Sequence, residues 1–413
     1  MILNYIFILF FILSFVAAVL RFIVFGDVAI FTAMVNSMME AAQNGFELAI
    51  YLTGTIALWL GILRVGEKAG MIRFISKLVN PFFIRIFPEI PSGHPVIGNI
   101  VMNFSANFLG LGNAATPLGL KAMQGLQELN PHKHKASNAQ IMFLVLNTSG
   151  LTVIPITALA VLEKAGTENP GVIFLPIIIA TFFSSMGGLI VMAIWQKINL
   201  LNRVILLYLG SMTVFVVGIL YFFTKLSSDQ VQQVSTFAGN FIILLIVVVF
   251  ISIAWKKKIN VYESFIDGAK EGFQISVKII PYLVAILAAI ALLKSSLILE
   301  NIIVMFEYLF ESLSLDTSFV PSLLTAFIRP LSGSGALATI QVMADQFGPD
   351  SFQTLLSSVM LGSTETTFYV LALYFGSVSI RNTRYAVAGG LIADLIGIVA
   401  AIMCAYLFFG DKV

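Results

Sequence analysis

The segment FIILLIVVVFISIAW, residues 241–255, decides the class of protein, because it carries no charged side chain and is followed directly by Lys256, Lys257 and Lys258. Similar apolar runs recur along the chain of 413 residues, of which 59% are hydrophobic and only 11% are charged. A soluble domain contains about 25% charged residues, and a helix that spans a bilayer needs about 20 mostly apolar residues. The sequence therefore predicts an all-α polytopic membrane protein.

The other apolar runs predict the remaining spans, some of them broken. With the opening segment included, the predicted spans lie at residues 1–25, 45–64, 139–162, 172–195, 204–224, 237–255, 273–293, 354–377 and 385–409. Three further segments mix charged with apolar residues, which is typical of amphipathic helices at the membrane interface. These segments are 28–42, 70–88 and 298–312.

Two stretches, 95–120 and 317–343, are apolar but interrupted by Gly, Pro, Asn and Ser residues. Irregular backbone survives at membrane depth only where protein or a watery cavity surrounds it, because lipid offers no hydrogen-bond partners. Each stretch is therefore predicted to enter the membrane and turn back, as a re-entrant hairpin.

The charges of the loops set the predicted orientation, because cytoplasmic loops are enriched in Lys and Arg. The lysines at 256–258 put that loop in the cytoplasm, and counting outward puts the basic segments 64–88 and 121–138 on the same side. Segments 298–316 and 344–353 then lie outside, and they carry acids without Lys or Arg. The N-terminus is predicted in the cytoplasm and the C-terminus outside.

The two halves of the sequence repeat a pattern. EAAQNGFELAI (40–50) and DGAKEGFQISV (267–277) share an acid, small residues and a Gly-Phe pair, and NFSANFL (103–109) stands opposite PLSGSGA (330–336). The predicted topology makes the halves run in opposite directions, with span 204–224 left over as the crossing that inverts the second half. Two inverted-topology repeats, each with a re-entrant hairpin and an unwound helix, are typical of a secondary transporter.

The first half supplies uncharged candidates for a solute site. A broken helix leaves free N–H and C=O groups, and Gly150 with Pro155 predicts an unwound stretch inside span 139–162. The alternative is that small residues permit close helix packing while the amides cap the hairpin. The candidates are Asn103, Ser105 and Asn107 in the hairpin, and Asn147 and Thr148 in the span.

The second half supplies charged candidates, in RPLSGSGAL (329–337) and GSTETTF (362–368). An intramembrane Arg is costly unless it is paired, so Arg329 is expected to meet Glu365, which is the one acid of span 354–377. Such a pair can be purely structural, or Arg329 can hold an anionic group while Glu365 grips a cation or a polar donor. Ser332, Ser334 and Thr364 complete the candidate site.

Asp394 is a third ionisable residue inside a predicted span, 385–409. Lys278 and Arg384 are its candidate partners, and a role in relaying protons is the alternative. The residue pattern does not choose between these roles.

Several functions are not indicated. The sequence contains no phosphate-binding loop, no GxSxG and no HExxH motif, and its three histidines lack metal-ligand spacing, so neither an enzyme nor a metal cofactor is expected. The net charge of +2 is spread over loops and suggests no nucleic-acid partner. The single cysteine, Cys404, cannot form an internal disulfide.

Long motifs in both halves resemble known families. MNFSANFLGLGNAATPLGLKAMQ (102–124) with ALWLGILRVGEKAG (57–70) resembles the spore maturation protein A family. VYESFIDGAKEGF (261–273), RPLSGSGAL (329–337) and GSTETTFYVLALYFGSVSIR (362–381) resemble the spore maturation protein B family. The resemblance implies a fusion of two domains that belong to the nucleoside-recognition gate family, at 1–200 and 231–413, joined by a linking helix at 201–230.

That family is similar to concentrative nucleoside transporters, in which two re-entrant hairpins and two unwound helices enclose the solute. The resemblance thus implies a transporter of a small polar or anionic solute, nucleoside-like or an amino acid, in the bacterial inner membrane. It also implies elevator-type motion, and it is compatible with sodium or proton coupling and with a homo-oligomer. The alternative is a non-transporting scaffold or regulator of spore maturation or envelope processes.

Overall fold

The computed structural model describes residues 2–109, 112–152, 154–226 and 228–412, and over these ranges the regular elements are helical. The one β-type contact in the described ranges is an isolated parallel bridge between Lys135 and Asn382. The predicted all-α class is therefore confirmed.

The helices alternate between long apolar rods and short pieces. They are α1 Ile2–Phe25, α2 Ala29–Lys68, α3 Met71–Ile86, α4 Val96–Phe108, α5 Gly112–Leu129, α6 Asn138–Thr148, α7 Ile156–Ala165, α8 Phe174–Gln196, α9 Arg203–Phe223, α10 Ser228–Lys256, α11 Val261–Ser295, α12 Ile298–Ser312, α13 Leu323–Ile328, α14 Gly333–Phe347, α15 Phe352–Ser363, α16 Thr367–Ser377 and α17 Ala386–Phe409. Short 3-10 turns at Pro170–Ile173, Val320–Ser322 and Gly410–Lys412 adjoin α8, α13 and α17.

Six helices of the described chain are long and apolar enough to cross a membrane. Their candidate spans are Phe7–Phe25, Ala29–Lys68, Pro170–Gln196, Arg203–Phe223, Gln233–Lys256 and Ala386–Lys412, where the third and the last include the adjoining 3-10 turns. A seventh candidate is the pair Leu283–Ser295 and Ile298–Ser312, which is bent by 73°. These helices confirm a polytopic membrane protein.

The predicted interfacial helices have mixed outcomes. Helices α3 and α12 form where amphipathic segments were predicted, and α3 buries Ile72, Ile75 and Phe83 while Arg73 and Lys77 remain exposed. The prediction of a separate helix at 28–42 was wrong, because this segment continues into the next span as the single 40-residue helix α2. No Gly or Pro interrupts the chain between the two segments until Gly45, which the helix accommodates.

Helices α2 and α11 pack against each other along most of their length, and two glycines bring their backbones close. A Cβ added at Gly45 would lie 3.0 Å from the backbone nitrogen of Val284, and one added at Gly272 would lie 2.7 Å from Cα of Ala57. The order of these contacts makes the two helices antiparallel. Small residues permit this approach, as they do in other membrane helix pairs.

Helices α8 and α17 form a second packed pair, and the short helices α6 and α15 lie against both of them. Residues 139–148 of α6 are all buried, and so are nearly all residues of α15. The ends of these two short helices therefore lie in the interior of the protein.

Contacts at each end of the molecule join segments that were predicted to share one side of the membrane. At one end Lys68 Nζ bonds Asp267 at 2.8 Å, and Lys257 Nζ bonds the carbonyl of Ala69 at 2.7 Å. At the other end Lys412 Nζ donates to the carbonyl of Asp350 at 3.0 Å. The grouping agrees with the predicted topology, and which end faces the cytoplasm stays a prediction.

Candidate functional site

Two helix breaks meet in the interior of the protein. Helix α6 ends at Thr148 and α7 begins at Ile156, which we call the first break, while α15 ends at Ser363 and α16 begins at Thr367, which we call the second break. The backbone N–H of Glu365 donates to the carbonyl of Thr148 across a distance of 2.7 Å. Each break therefore satisfies a backbone group of the other.

Gly150 lies close to Glu365 beside this contact. A Cβ added at Gly150 would lie 3.2 Å from Cγ of Glu365, which is tighter than an ordinary contact. Downstream, Pro155 has no N–H and directly precedes α7, where a proline fits because that donor would be unpaired in the first turn anyway. The unwound stretch that Gly150 and Pro155 predict is thus present.

The second hairpin, formed by α13 and α14, holds the second break. Arg329 lies between the two helices, and its Nε donates to the carbonyl of Thr364 at 2.8 Å, with Nη2 donating to the same oxygen. Its Nη1 lies 3.5 Å from Oγ1 of Thr366. The backbone N–H of Phe368 donates to the carbonyl of Pro330 at 3.0 Å. The turn of the hairpin is therefore bonded to both sides of the break.

The predicted pair of Arg329 and Glu365 is present but loose. Nη2 of Arg329 lies 3.4 Å from Oε2 of Glu365, whereas charge-assisted hydrogen bonds measure about 2.7–2.9 Å. The Arg329 side chain is 11% exposed and the Glu365 side chain 48% exposed. Arg329 is thus committed mainly to a backbone carbonyl, and the carboxylate of Glu365 keeps lone pairs for another donor.

The first hairpin, formed by α4 and α5, reaches the first break through amides. Nδ2 of Asn107 donates to Oδ1 of Asn147 at 2.8 Å, and Nδ2 of Asn147 donates to the carbonyl of Phe143 at 2.8 Å. Residues 110 and 111, between α4 and α5, lie outside the described residues. Two neutral amides thus connect this hairpin to the break.

The remaining candidate residues lie outside the region where the two breaks meet. Asn103 donates to the carbonyl of Ala115 at 2.8 Å, within its own hairpin, and lies 3.4 Å from the hydroxyl of Tyr374. Ser105 donates to the carbonyl of Val101 and lies 3.1 Å from the hydroxyl of Ser76 on α3, so its hydroxyl is engaged outside the centre.

In the second hairpin, Ser332 accepts from the N–H of Gly335 and caps α14, and Ser334 is half-buried in the first turn of that helix. The structure therefore joins six of the candidates around the breaks and gives the other four local roles or peripheral positions. The six are Asn107, Asn147, Thr148, Arg329, Thr364 and Glu365.

Asp394 on α17 contacts Thr367, the first residue of α16 after the second break. Its Oδ2 accepts a hydrogen bond from Oγ1 of Thr367 at 2.7 Å, and the residue is 2% exposed. Arg384 instead bonds the carbonyl of Ala136 and Oδ1 of Asn138. The side chain of Lys278 lies outside the described residues. The hydrogen-bond partner of Asp394 is thus Thr367, and the expected pairing with Arg384 was wrong.

Sequence reasoning missed three polar residues of this region, of which one, Ser185, bonds the first break directly. Ser185 on α8 donates to the carbonyl of Ser149 at 2.8 Å, and Ser184 donates to the carbonyl of Ala393 on α17 at 2.9 Å. Tyr374 on α16 meets Asn103 of the first hairpin. The signal available for the serines was the small-residue run SSMGG, residues 184–188, within an otherwise large apolar span.

A polar cavity of about 420 Å³ lies elsewhere, at the end of the molecule where the α5–α6 and α16–α17 loops meet. His132, Lys135 and Arg384 line it together with Glu89. Among the residues that the structure describes, no group of three or more His, Cys, Asp or Glu side chains could hold a metal ion.

Comparison with known proteins assigns both halves. The gate family, described as nucleoside recognition, matches residues 49–164 and 276–381, which together are more than half of the chain. Spore maturation protein A of Bacillus subtilis strain 168 is 39% identical over 156 residues, which cover 38% of this chain and 80% of that protein. Spore maturation protein B of the same strain is 46% identical over 155 residues, which cover 38% of this chain and 85% of that protein.

The two matches are consistent with a fusion of one relative of each kind, and the two matched segments of the gate family contain the two helix breaks. The chain belongs to the gate family, described as nucleoside recognition, and it is similar to both spore maturation proteins.

Proposed function

We propose that the protein is a secondary transporter that moves a small polar solute across the bacterial inner membrane. The observation that carries the proposal is the meeting of the two breaks, where the N–H of Glu365 bonds the carbonyl of Thr148 and a half-exposed carboxylate stands beside the guanidinium of Arg329. Discontinuous helices whose free ends meet at the interface of two repeats are the usual solute sites of such transporters.

An inverted repeat is the architecture we propose for this transporter. In α2–α8 and in α11–α17 alike, five shorter helices lie between two long ones, and the break falls between the fifth and the sixth helix. The close contact of Gly45 with Val284 has a counterpart in that of Gly272 with Ala57, at the same offset along the sequence. Contacts that exchange in this way are expected of a two-fold axis between α2 and α11. The proposed units are residues 1–200, 201–230 and 231–413.

The proposed motion follows from the packing. Helices α4–α7 and α13–α16 are short and bonded to one another at the breaks, whereas α2 and α11 form a long antiparallel pair. We propose that the two hairpins are re-entrant and that they move with the broken helices as a solute-carrying unit against a scaffold built on α2 and α11. The elevator-type motion that the resemblance implies would use this division.

The chemistry of the site favours a solute that donates hydrogen bonds. Two of the five N–H donors of Arg329 go to the carbonyl of Thr364, and its side chain is only 11% exposed, so an anion has limited access to it. Glu365 is 48% exposed and is an acceptor while it is ionised. A nucleoside-like solute or an amino acid fits this pair better than an organic anion, and the description of the gate family supports the nucleoside-like choice.

The test is solute flux into proteoliposomes that contain the purified full chain. The panel holds nucleosides, amino acids and organic anions, and we expect saturable uptake of one donor-bearing class. Glu365→Gln should lower uptake by about tenfold or more, since a hydrogen bond to a charged group contributes about 1.5–3 kcal/mol. Asp345→Asn is the matched control, because Asp345 is exposed and accepts only a local bond from Gln341.

Each contrary result has its own meaning. Flux that does not saturate would indicate a channel. Absence of flux for every class, with the protein folded, would favour a non-transporting scaffold or regulator, as the names of the two spore maturation relatives suggest. Equal loss of uptake in Asp345→Asn would show that the loss does not report on the site.

A further inference from the structure

Asp394 lies in the middle of α17 and is almost completely buried, with 2% of its surface exposed. Its Oδ2 accepts one hydrogen bond, from Thr367, and its Oδ1 is buried without a hydrogen-bond partner among the described residues. If this carboxyl were ionised, its negative charge would be stabilised by a single hydrogen bond from a neutral hydroxyl. Burial of such a charge is very costly unless it is paired or neutralised.

The helices around Asp394 offer no counterion. Among the elements packed on α17, α6, α8 and α15 contain no Asp, Glu, Lys, Arg or His residue. Helix α16 contributes the titratable Tyr369 and Tyr374, α10 carries Asp229 and Lys256 in its end turns, and Asp411 with Lys412 follows the end of α17.

Two charged residues, Arg329 and Glu365, lie at the second break. The guanidinium of Arg329 bonds the carbonyl of Thr364 through Nε and Nη2, and the one hydrogen bond of the Asp394 carboxyl among the described residues comes from Thr367. Glu365 carries the same charge as an ionised Asp394 and so cannot neutralise it. Neutralisation by direct contact must therefore come from a bound cation.

A proton suits this environment better than a metal ion. A metal ion needs several oxygen ligands, and among the described residues no group of three or more His, Cys, Asp or Glu side chains could hold one. The hydroxyls of Ser184 and Thr148 donate to the carbonyls of Ala393 and Val145, so neither supplies the hydrogen that Oδ1 of Asp394 lacks. A proton needs a single oxygen, and Oδ2 with its short contact to Thr367 supplies one.

We propose that Asp394 is a proton-binding site and that its proton is linked to the shape of the second break through Thr367. The proton binds Oδ2, and the resulting carboxyl donates to Oγ1 of Thr367. When the proton leaves to solvent, the hydroxyl of Thr367 donates to the carboxylate and Oδ1 requires a new donor. Thr367 directly follows Thr366, which lies beside Arg329, so the change reaches the turn of the second hairpin.

The linkage of this proton to solute movement rests on the proposed transport function, whereas proton binding itself does not. The first test is therefore made without any solute. Infrared difference spectroscopy of the purified full chain should show the carbonyl band of a protonated, buried carboxyl near neutral pH. Asp394→Asn should lose the band, Thr367→Val should shift it, and Asp345→Asn should leave it unchanged.

A second measurement uses stability. The folded chain keeps a proton that the unfolded chain releases, so the melting temperature of the wild type should fall as the pH is raised from about 6 to about 9. Asp394→Asn mimics the protonated form and should be less sensitive to pH. If this variant does not fold, the band of the wild type and its shift in Thr367→Val decide the question.

The proposal is overturned if the wild type shows no such band near neutral pH, or if the band survives in Asp394→Asn. Stabilisation by sodium at constant pH that Asp394→Asn abolishes would overturn it in favour of a sodium site. If flux is found, Asp394→Asn should lose uptake driven by a proton gradient and keep solute exchange. Uptake that remains fully gradient-driven in Asp394→Asn would refute the linkage, while absence of all flux would refute only the transport proposal.

Discussion

In the first half of the molecule an amide of the hairpin, Asn107, bonds the side chain of Asn147, whereas in the second half the guanidinium of Arg329 bonds the main-chain carbonyl of Thr364. The two halves share an order of helices and a break at the same place. They differ in the strength of the group that holds the break. A charged donor to a backbone carbonyl is stronger than a bond between two neutral amides.

The difference indicates that the two breaks are held with different strength. The second break is held by the charged guanidinium of Arg329, and its acid, Glu365, remains half exposed. The first break is held by groups that can exchange partners at modest cost, because amides both donate and accept. We therefore expect substitutions in the second half to have the larger effects.

The largest effect is expected for Arg329→Met. This substitution leaves the buried carbonyl of Thr364 without its donors, and we expect a loss of about 1.5–3 kcal/mol in the free energy of unfolding together with loss of uptake. Arg329→Lys keeps the charge but not the two-pronged geometry, so its free energy of unfolding should lie between those of Arg329→Met and the wild type. Unfolding in detergent measures the effect, and a methionine variant as stable as wild type would refute this role.

The glycine contacts of α2 and α11 come next. Gly272→Ala places a Cβ 2.7 Å from the backbone of Ala57, so the helices must separate, at a cost of about 1–3 kcal/mol. Gly45→Ala, whose Cβ would lie 3.0 Å from Val284, should cost less.

The control for these variants is Gly54→Ala, on the same helix as Gly45, where an added Cβ meets nothing within 4 Å. It should stabilise the protein by about 0.5–1 kcal/mol, because glycine is unfavourable within a helix. Melting temperatures of the three variants test the ranking. Equal effects at all three positions would contradict the close packing of α2 on α11.

A smaller effect is expected for the amide pair of the first half. Asn107→Ala and Asn147→Ala should each cost about 1 kcal/mol, and the double variant should cost less than the sum, since both lose one shared bond. Ser105→Ala is the control, because its hydroxyl faces α3, and its effect should add to that of Asn107→Ala within about 0.5 kcal/mol. A double-variant cycle by chemical unfolding measures the coupling, and strict additivity of Asn107 and Asn147 would rule it out.

The smallest effect concerns a contact at one end of the second half, between Asp316 and the hydroxyl of Tyr406. The hydrogen bond from Tyr406 lowers the pKa of Asp316 below its ordinary value. Because the pKa is lowered on folding, the contact stabilises the protein above the ordinary Asp pKa of about 3.9 and loses this effect as the pH falls through the lowered value.

Tyr406→Phe should therefore flatten the acid side of the stability curve and leave stability near neutral pH only slightly reduced. Melting curves between about pH 3 and pH 7 provide the measurement. An unchanged acid slope in Tyr406→Phe would show that the contact does not form in solution.

Much of the fold was predictable from local sequence. Residues 298–312 form a helix with the bounds that their mixed pattern predicts, and the first break occurs beside Gly150 as expected. Hydrophobic length and helix-breaking residues act locally, so one sequence is enough to detect them. Segment 28–42 was misjudged because its small and polar residues weaken the apolar signal without interrupting the helix.

The candidate site was less predictable. The pairing of Arg329 with Glu365 followed from the cost of an unpaired charge, and the structure contains it. The main partner of Arg329 is a backbone carbonyl, which every residue possesses and which therefore leaves no mark in the sequence. Ser105 could not be separated from Asn107 by composition, since only packing shows which of them faces α3.

The sequence by itself determined that this is an all-helical membrane protein with interrupted helices, because the cost of exposing polar backbone to lipid leaves few alternatives. Tertiary structure alone decided which interruptions meet. The contacts of Glu365 with Thr148, of Arg329 with Thr364 and of Thr367 with Asp394 join residues from distant parts of the chain. They arise when buried helix ends and a buried carboxyl must find partners, and the partners available are those that packing brings within reach.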